Sequence, residues 1–118
     1  MDWTKPTVQL LGRWQPWHDG HTELFKRAHK RTGQVCIQIR DMPENSSNPY
    51  SMGMRQNAIV EALRFQGFTK DVDYVIQVVP NIVDITYGRN VGYTITEETL
   101  PEEIEKISAT EIRKNGQG

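Results

Sequence analysis

Three short runs of apolar and β-branched residues recur along this chain, and two stretches of helical periodicity separate them. Residues 7–11 (Thr-Val-Gln-Leu-Leu) stop at Gly12, residues 35–39 (Val-Cys-Ile-Gln-Ile) follow Gly33, and residues 74–79 (Tyr-Val-Ile-Gln-Val-Val) are closed by Pro80. The first helix is expected over about 20–31, where His21, Leu24, Phe25 and Ala28 fall on one face at i, i+3, i+4 and i+7. Lys26, Arg27, Lys30 and Arg31 turn away or load the last turn, where cations suit the helix dipole. Gly33 is a natural stop. Ser51 is a natural N-cap for a second helix that reaches about Gln66, with Ile59, Ala62 and Leu63 as its core stripe. Strand–helix–strand–helix–strand at these lengths implies right-handed crossovers and a parallel sheet. The expected fold is α/β, a parallel sheet of about five strands flanked by helices. Residues 84–87 and 93–96 supply the fourth and fifth strands, and Ser108 caps a last short helix ending near Lys114.

At 118 residues the chain is read as one domain spanning 1–118. Fourteen basic and fifteen acidic residues give a net charge of −1. That balance argues against wholesale binding to nucleic-acid backbone or anionic lipid, but not against a local phosphate site. The Lys26–Arg31 cluster accordingly reads as a solvated helix face. No apolar run is long enough to span a membrane, and residues 1–5 lack the layout of a signal peptide. Cys36 is the single cysteine, which excludes an internal disulfide framework and a cysteine-based zinc site. The expected compartment is cytoplasmic. With 36% hydrophobic residues the domain is lean, and a second copy is expected to complete its buried surface.

In parallel α/β sheets, ligands sit at the carboxyl ends of the strands. The turn after the first strand reads Gly12-Arg13-Trp14-Gln15-Pro16-Trp17-His18-Asp19-Gly20-His21. It brings two imidazoles, a helix start with free amides and Arg13 to that edge, a set that suits a phosphate chain. Gly20 lets a ligand approach the backbone. Taken alone, His18 and His21 read as ordinary loop and cap residues. A zinc site is disfavoured because no third ligand stands at suitable spacing. His29 is expected to face solvent.

The ten-residue string resembles the signature of the nucleotidylyltransferase superfamily, Gly-Arg-Phe-Gln-Pro-(Phe or Val)-His-x-Gly-His, with Trp14 and Trp17 at the apolar positions. Residues 107–113 (Ile-Ser-Ala-Thr-Glu-Ile-Arg) resemble that family's second motif, Ile-Ser-(Gly or Ala)-Thr-x-(Ile or Val)-Arg. Asn48-Pro49-Tyr50-Ser51, followed by Arg55, is similar to a third. Arg55 either leans toward the sheet edge or is solvated. Residues 79–82 and 87–93 are similar to the nucleotidyltransferase domains fused to adenylylsulfate kinases, and archaeal-type nicotinamide mononucleotide adenylyltransferases also resemble the chain. The resemblance implies a Rossmann-like sheet. It also implies an enzyme that transfers a nucleoside monophosphate from ATP or CTP, with AMP favoured, to a phosphorylated small-molecule acceptor. Pyrophosphate leaves by in-line displacement without a covalent intermediate, and Mg²⁺ arrives through the triphosphate, with no protein-held metal. The implied catalytic residues are His18, His21 and Arg113. The implied phosphate contacts are Arg13, Gly20, Ser108 and Thr110. Trp14, Arg55, Gly88, Arg89 and Asn90 are candidates for the base, the ribose or the acceptor. One departure concerns the acceptor: residues 45–48 (Asn-Ser-Ser-Asn) lack the arginine that nicotinamide mononucleotide adenylyltransferases carry there. The rival reading is a non-catalytic nucleotide-binding module.

Overall fold

The alternation of strand-like and helical stretches becomes β1 (Val8–Gly12), α1 (Asp19–Thr32), β2 (Val35–Arg40), α2 (Met52–Phe65) and β3 (Tyr74–Val79) in a computed structural model, which describes residues 1–89 and 92–98. The strands form one parallel sheet in the order β1-β2-β3. Val8, Val35 and Tyr74 stand in one register row, and Leu10, Ile37 and Ile76 in another two residues on. These rows point to the same face, because side chains alternate along a strand. Phe25 and Ala28 of α1 and Ile59 and Leu63 of α2 pack there with Leu10, Val35, Ile37, Ile39 and Tyr74. Both helices therefore cover one face, as right-handed crossovers moving in one direction require. Phe25, Val35, Ile37, Ile39, Ile59 and Leu63 are fully buried. Each contributes roughly 1.5–3 kcal/mol of transfer free energy.

The opposite face is polar. Gln9 donates to Gln38 at 2.6 Å, and Gln38 and the Cys36 thiol both donate to Gln77, at 3.2 and 3.3 Å. Burial raises the Cys36 pKa.

The helix ends follow the sequence signals closely. Ser51 caps α2, its hydroxyl accepting from the Met54 amide at 3.2 Å. Gly33 ends α1 at φ 78°, a left-handed conformation that glycine reaches without strain, and donates to His29 O. α1 begins at Asp19, one residue before the expected start, because His18 is its cap.

Three expectations need correcting. Residues 84–87 and 93–96 form no strand, so the sheet has three strands among the described residues. The alternation that suggested strands is real, but Val83, Ile85, Tyr87, Tyr93 and Ile95 are exposed. A strand requires a partner edge, and residues 92–96 face the free edge of β1 across a cavity of about 920 Å³ instead of pairing with it. His29 does not face solvent. Its Nε2 lies 3.0 Å from Asp73 Oδ1, and its ring packs on Phe25 and Phe68. The third correction, concerning the amides at the start of α1, belongs to the site. Asn90 and residues 99–118, with the expected last helix and with Ser108, Thr110 and Arg113, lie outside the described residues. No helix among the described residues is long and apolar enough to cross a membrane.

Candidate active site

The site begins where β1 runs out. A Cβ at Gly12 would sit 2.8 Å from Trp14 Cε2 and Cζ2, so the indole lies directly on the glycine backbone. Trp14 has φ 53°, a left-handed conformation uncommon outside glycine. It folds the chain back so that the indole Nε1 donates to Gln38 O on β2 at 3.0 Å. Trp17 donates from Nε1 to Thr22 Oγ1 at 2.8 Å. Both tryptophans are buried, and their rings lie 4.8 and 5.5 Å from the His21 ring. They form an apolar wall on which the imidazole is held.

His18 and His21 cap α1 reciprocally. His18 Nδ1 accepts from the Gly20 amide at 3.1 Å, and His21 Nδ1 accepts from the His18 amide at 3.2 Å. This is a capping box in which imidazoles replace the usual hydroxyl and carboxamide. The rings stack with centroids 3.5 Å apart. An imidazole that accepts at Nδ1 carries its proton at Nε2, and this hydrogen-bond network assigns that tautomer to both rings. Burial, and secondarily the charge of His18, push the His21 pKa down to about 3. At neutral pH His21 is therefore a neutral ring with an Nε2–H donor. A neutral donor is suited to oxyanions because no imidazolium has to be desolvated.

The same geometry corrects the expectation of free amides at the helix start. The Gly20 amide is taken by His18 Nδ1, and the His21 and Thr22 amides donate to His18 O at 2.9 and 3.1 Å. Gly20 is buried and its N–H is engaged, so it offers no free amide to a ligand. The histidines are thus cap residues, and the cap itself fixes which nitrogen carries the proton.

The loop after β1 is tied to the loop before α2. Gln15, itself buried, donates to Tyr50 O at 3.2 Å and accepts from the Tyr50 amide at 2.9 Å. Arg13 Nη1 reaches Ser47 O at 3.3 Å and Asn48 Oδ1 at 3.2 Å. Arg55 leans inward, with 1% of its surface exposed, and its Nη1 joins Arg13 O at 3.0 Å to Arg40 O at 2.9 Å. Burial lowers the Arg55 pKa, partly offset by the charges of Asp41 and Glu44. The structure thus gathers His18, His21, Arg13, Trp14, Gly20 and Arg55 at one edge of the sheet. Gly88 and Arg89 lie in an exposed bend beyond β3. Among the described residues no three His, Cys, Asp or Glu side chains converge on a point that could hold a metal. Sequence reasoning passed over Arg40, at the end of β2, and Gln15 as a loop fastener. The position of Arg40 just past an apolar strand was the available signal.

Comparison with known proteins gives the class that the chain resembles: its homologues are nucleotidyltransferases. The particular relatives are nicotinamide-nucleotide adenylyltransferases. The Methanococcus aeolicus protein is 27% identical over 89% of this chain and 74% of its own length. The Pyrococcus horikoshii protein is 25% identical over 89% of this chain and 69% of its own. A Methanococcus maripaludis protein is 30% identical over 67% of this chain and 43% of its own. No family model matches the chain.

Proposed function

We propose that the chain transfers AMP from ATP to a phosphorylated small-molecule acceptor, with nicotinamide mononucleotide the acceptor that the names of its relatives point to. The observation that carries this reading is the stacked imidazole pair, whose shared cap leaves both rings protonated at Nε2 at the carboxyl edge of a parallel sheet. In this reading an acceptor phosphate oxygen attacks the α-phosphorus of ATP. The bond from that phosphorus to the bridging oxygen breaks, and pyrophosphate takes the electron pair. Negative charge grows on the α-phosphoryl oxygens and on the leaving group. Neutral Nε2–H donors fixed by packing stabilise that charge without reorganising. Arg13 supplies a fixed positive charge beside them, and the Trp14–Trp17 wall limits water around His21. Ser108, Thr110 and Arg113 are assigned to the β- and γ-phosphates on the motif resemblance. Magnesium belongs to the substrate in this reading and enters with the triphosphate. The described residues offer no convergent ligand set of their own.

The test supplies the full chain with magnesium, ATP or CTP, and nicotinamide mononucleotide or other phosphomonoesters. Pyrophosphate and the dinucleotide product are measured. Turnover with ATP is expected, reduced about 100-fold or more by His21→Ala in a variant that keeps its helical circular dichroism. Nucleotide binding with no pyrophosphate from any acceptor would return the chain to the class of binding modules.

A further inference from the structure

We propose that Arg40 and Asn81 form the subsite that binds the anionic group of the acceptor, a phosphomonoester dianion. This inference rests on the transferase reading above, and it concerns residues which that reading leaves without a role. Arg40 is the last residue of β2, and Asn81 follows the end of β3. Both therefore stand at the carboxyl ends of parallel strands, where α/β sheets bind ligands. Arg40 Nη2 donates to Asn81 Oδ1 at 2.9 Å, while Arg40 Nε is buried with no partner among the described residues. Nε and Nη2 share one edge of the guanidinium, the edge that takes carboxylate or phosphate in a bidentate pair. Here a neutral amide uses half of that edge and leaves the other donor unsatisfied, which is rare in folded proteins. Asn81 is exposed, so its amide can swing aside for an oxyanion that takes both N–H groups.

The neighbouring arginines are held by neutral groups. Arg55 holds Arg40 O through Nη1, its own Nε is also buried without a partner, and its Nη1 reaches Arg13 O as well. Among the described residues no carboxylate forms an ion pair with Arg13, Arg40 or Arg55, although Arg27, Arg31 and Arg64 all have one. The Arg13, Arg40 and Arg55 side chains thus take carbonyl and amide hydrogen-bond partners near the carboxyl ends of the strands, with the charges of Asp41 and Glu44 acting on Arg55. A dianion there gives Arg40 Nε the acceptor it lacks among the described residues. The ends of β2 and β3 lie on the same carboxyl edge of the sheet as the β1–α1 turn.

The experiment uses Arg40→Gln and the milder surface variant Asn81→Asp, which keeps Arg40 but gives it a built-in carboxylate. Steady-state kinetics with ATP and nicotinamide mononucleotide are measured together with calorimetric binding of nicotinamide mononucleotide and of inorganic phosphate. Both variants are expected to raise the acceptor KM about tenfold or more, the equivalent of one lost charge-assisted contact, while the ATP KM stays within about twofold. Arg40→Lys is expected to recover part of the loss. Unchanged acceptor KM and unchanged phosphate binding in both variants would overturn the subsite, as would a parallel rise in the ATP KM. If the wild type binds phosphate through Arg40 yet releases no pyrophosphate, the transferase reading fails and the subsite stands. If turnover is intact but insensitive to Arg40 and Asn81, the subsite fails and the transferase reading stands.

Discussion

Acid should destabilise this protein through one imidazole, and the structure fixes by how much. His21 is neutral when folded, with a pKa pushed down to about 3 by burial and by His18. In the unfolded chain it titrates near the ordinary histidine value of about 6.5. Between those values only the unfolded state takes up the proton, so stability rises with pH. The contribution is complete above about pH 6.5 and is lost progressively as pH falls toward the folded value. Integrating the two titrations gives a loss of about 2 kcal/mol between pH 7 and pH 5 from this residue alone. The informative control is His21→Gln, because glutamine at the third helical position can accept from the cap amide as His21 Nδ1 does, yet does not titrate. Urea unfolding of both proteins at the two pH values, with the slope m held common, isolates the effect. The wild type should lose about 2 kcal/mol more than the variant. Equal losses would show that His21 is not held neutral by the fold, and the account of its protonation would be wrong.

The same neutrality carries into activity: His21 should contribute no inflection to kcat/KM between pH 5 and pH 9, and a limb in that range that disappears in His21→Gln would contradict it. Gly12→Ala should cost about 1–3 kcal/mol in urea unfolding, because its Cβ would meet the Trp14 ring at 2.8 Å, and the Trp14 fluorescence should shift as the indole is displaced. Gln15→Ala should destabilise by about 1–3 kcal/mol, since it leaves a buried loop without the paired bonds to Tyr50, and equal urea midpoints would refute that fastening.

The parts of the fold legible in the sequence were those set by local periodicity. Val35, Ile37 and Ile39 alternate toward the helices, Phe25 and Ala28 share one helical face, and Ser51 and Gly33 mark the ends where capping chemistry demands them. The parts that were not legible depend on partners distant in sequence. Residues 84–87 and 93–96 have the right alternation, but alternation does not supply an edge to pair with. Arg55 and His29 carry polar groups on otherwise apolar patterns, which in isolation reads as exposure. Their burial follows from carbonyls that Arg55 collects from two strand ends and from a carboxylate, Asp73, far along the chain. The candidate site was legible as a cluster of residues at the β1–α1 turn, but its chemistry was not. The sequence suggested the two imidazoles, Arg13 and free backbone amides together as the anion donors. The structure engages the Gly20, His21 and Thr22 amides within the cap and so, in the proposed reaction, transfers their donor role to the rings.

The most direct test of that transfer is long-range ¹H–¹⁵N correlation spectroscopy of the imidazoles, with and without a non-hydrolysable ATP analogue. Both His18 and His21 should show a protonated Nε2 and an accepting Nδ1 at neutral pH, and the analogue should move the Nε2–H signals while the Nδ1 pattern stays fixed. A protonated Nδ1 on either ring, or Nε2–H signals indifferent to the nucleotide, would contradict the account.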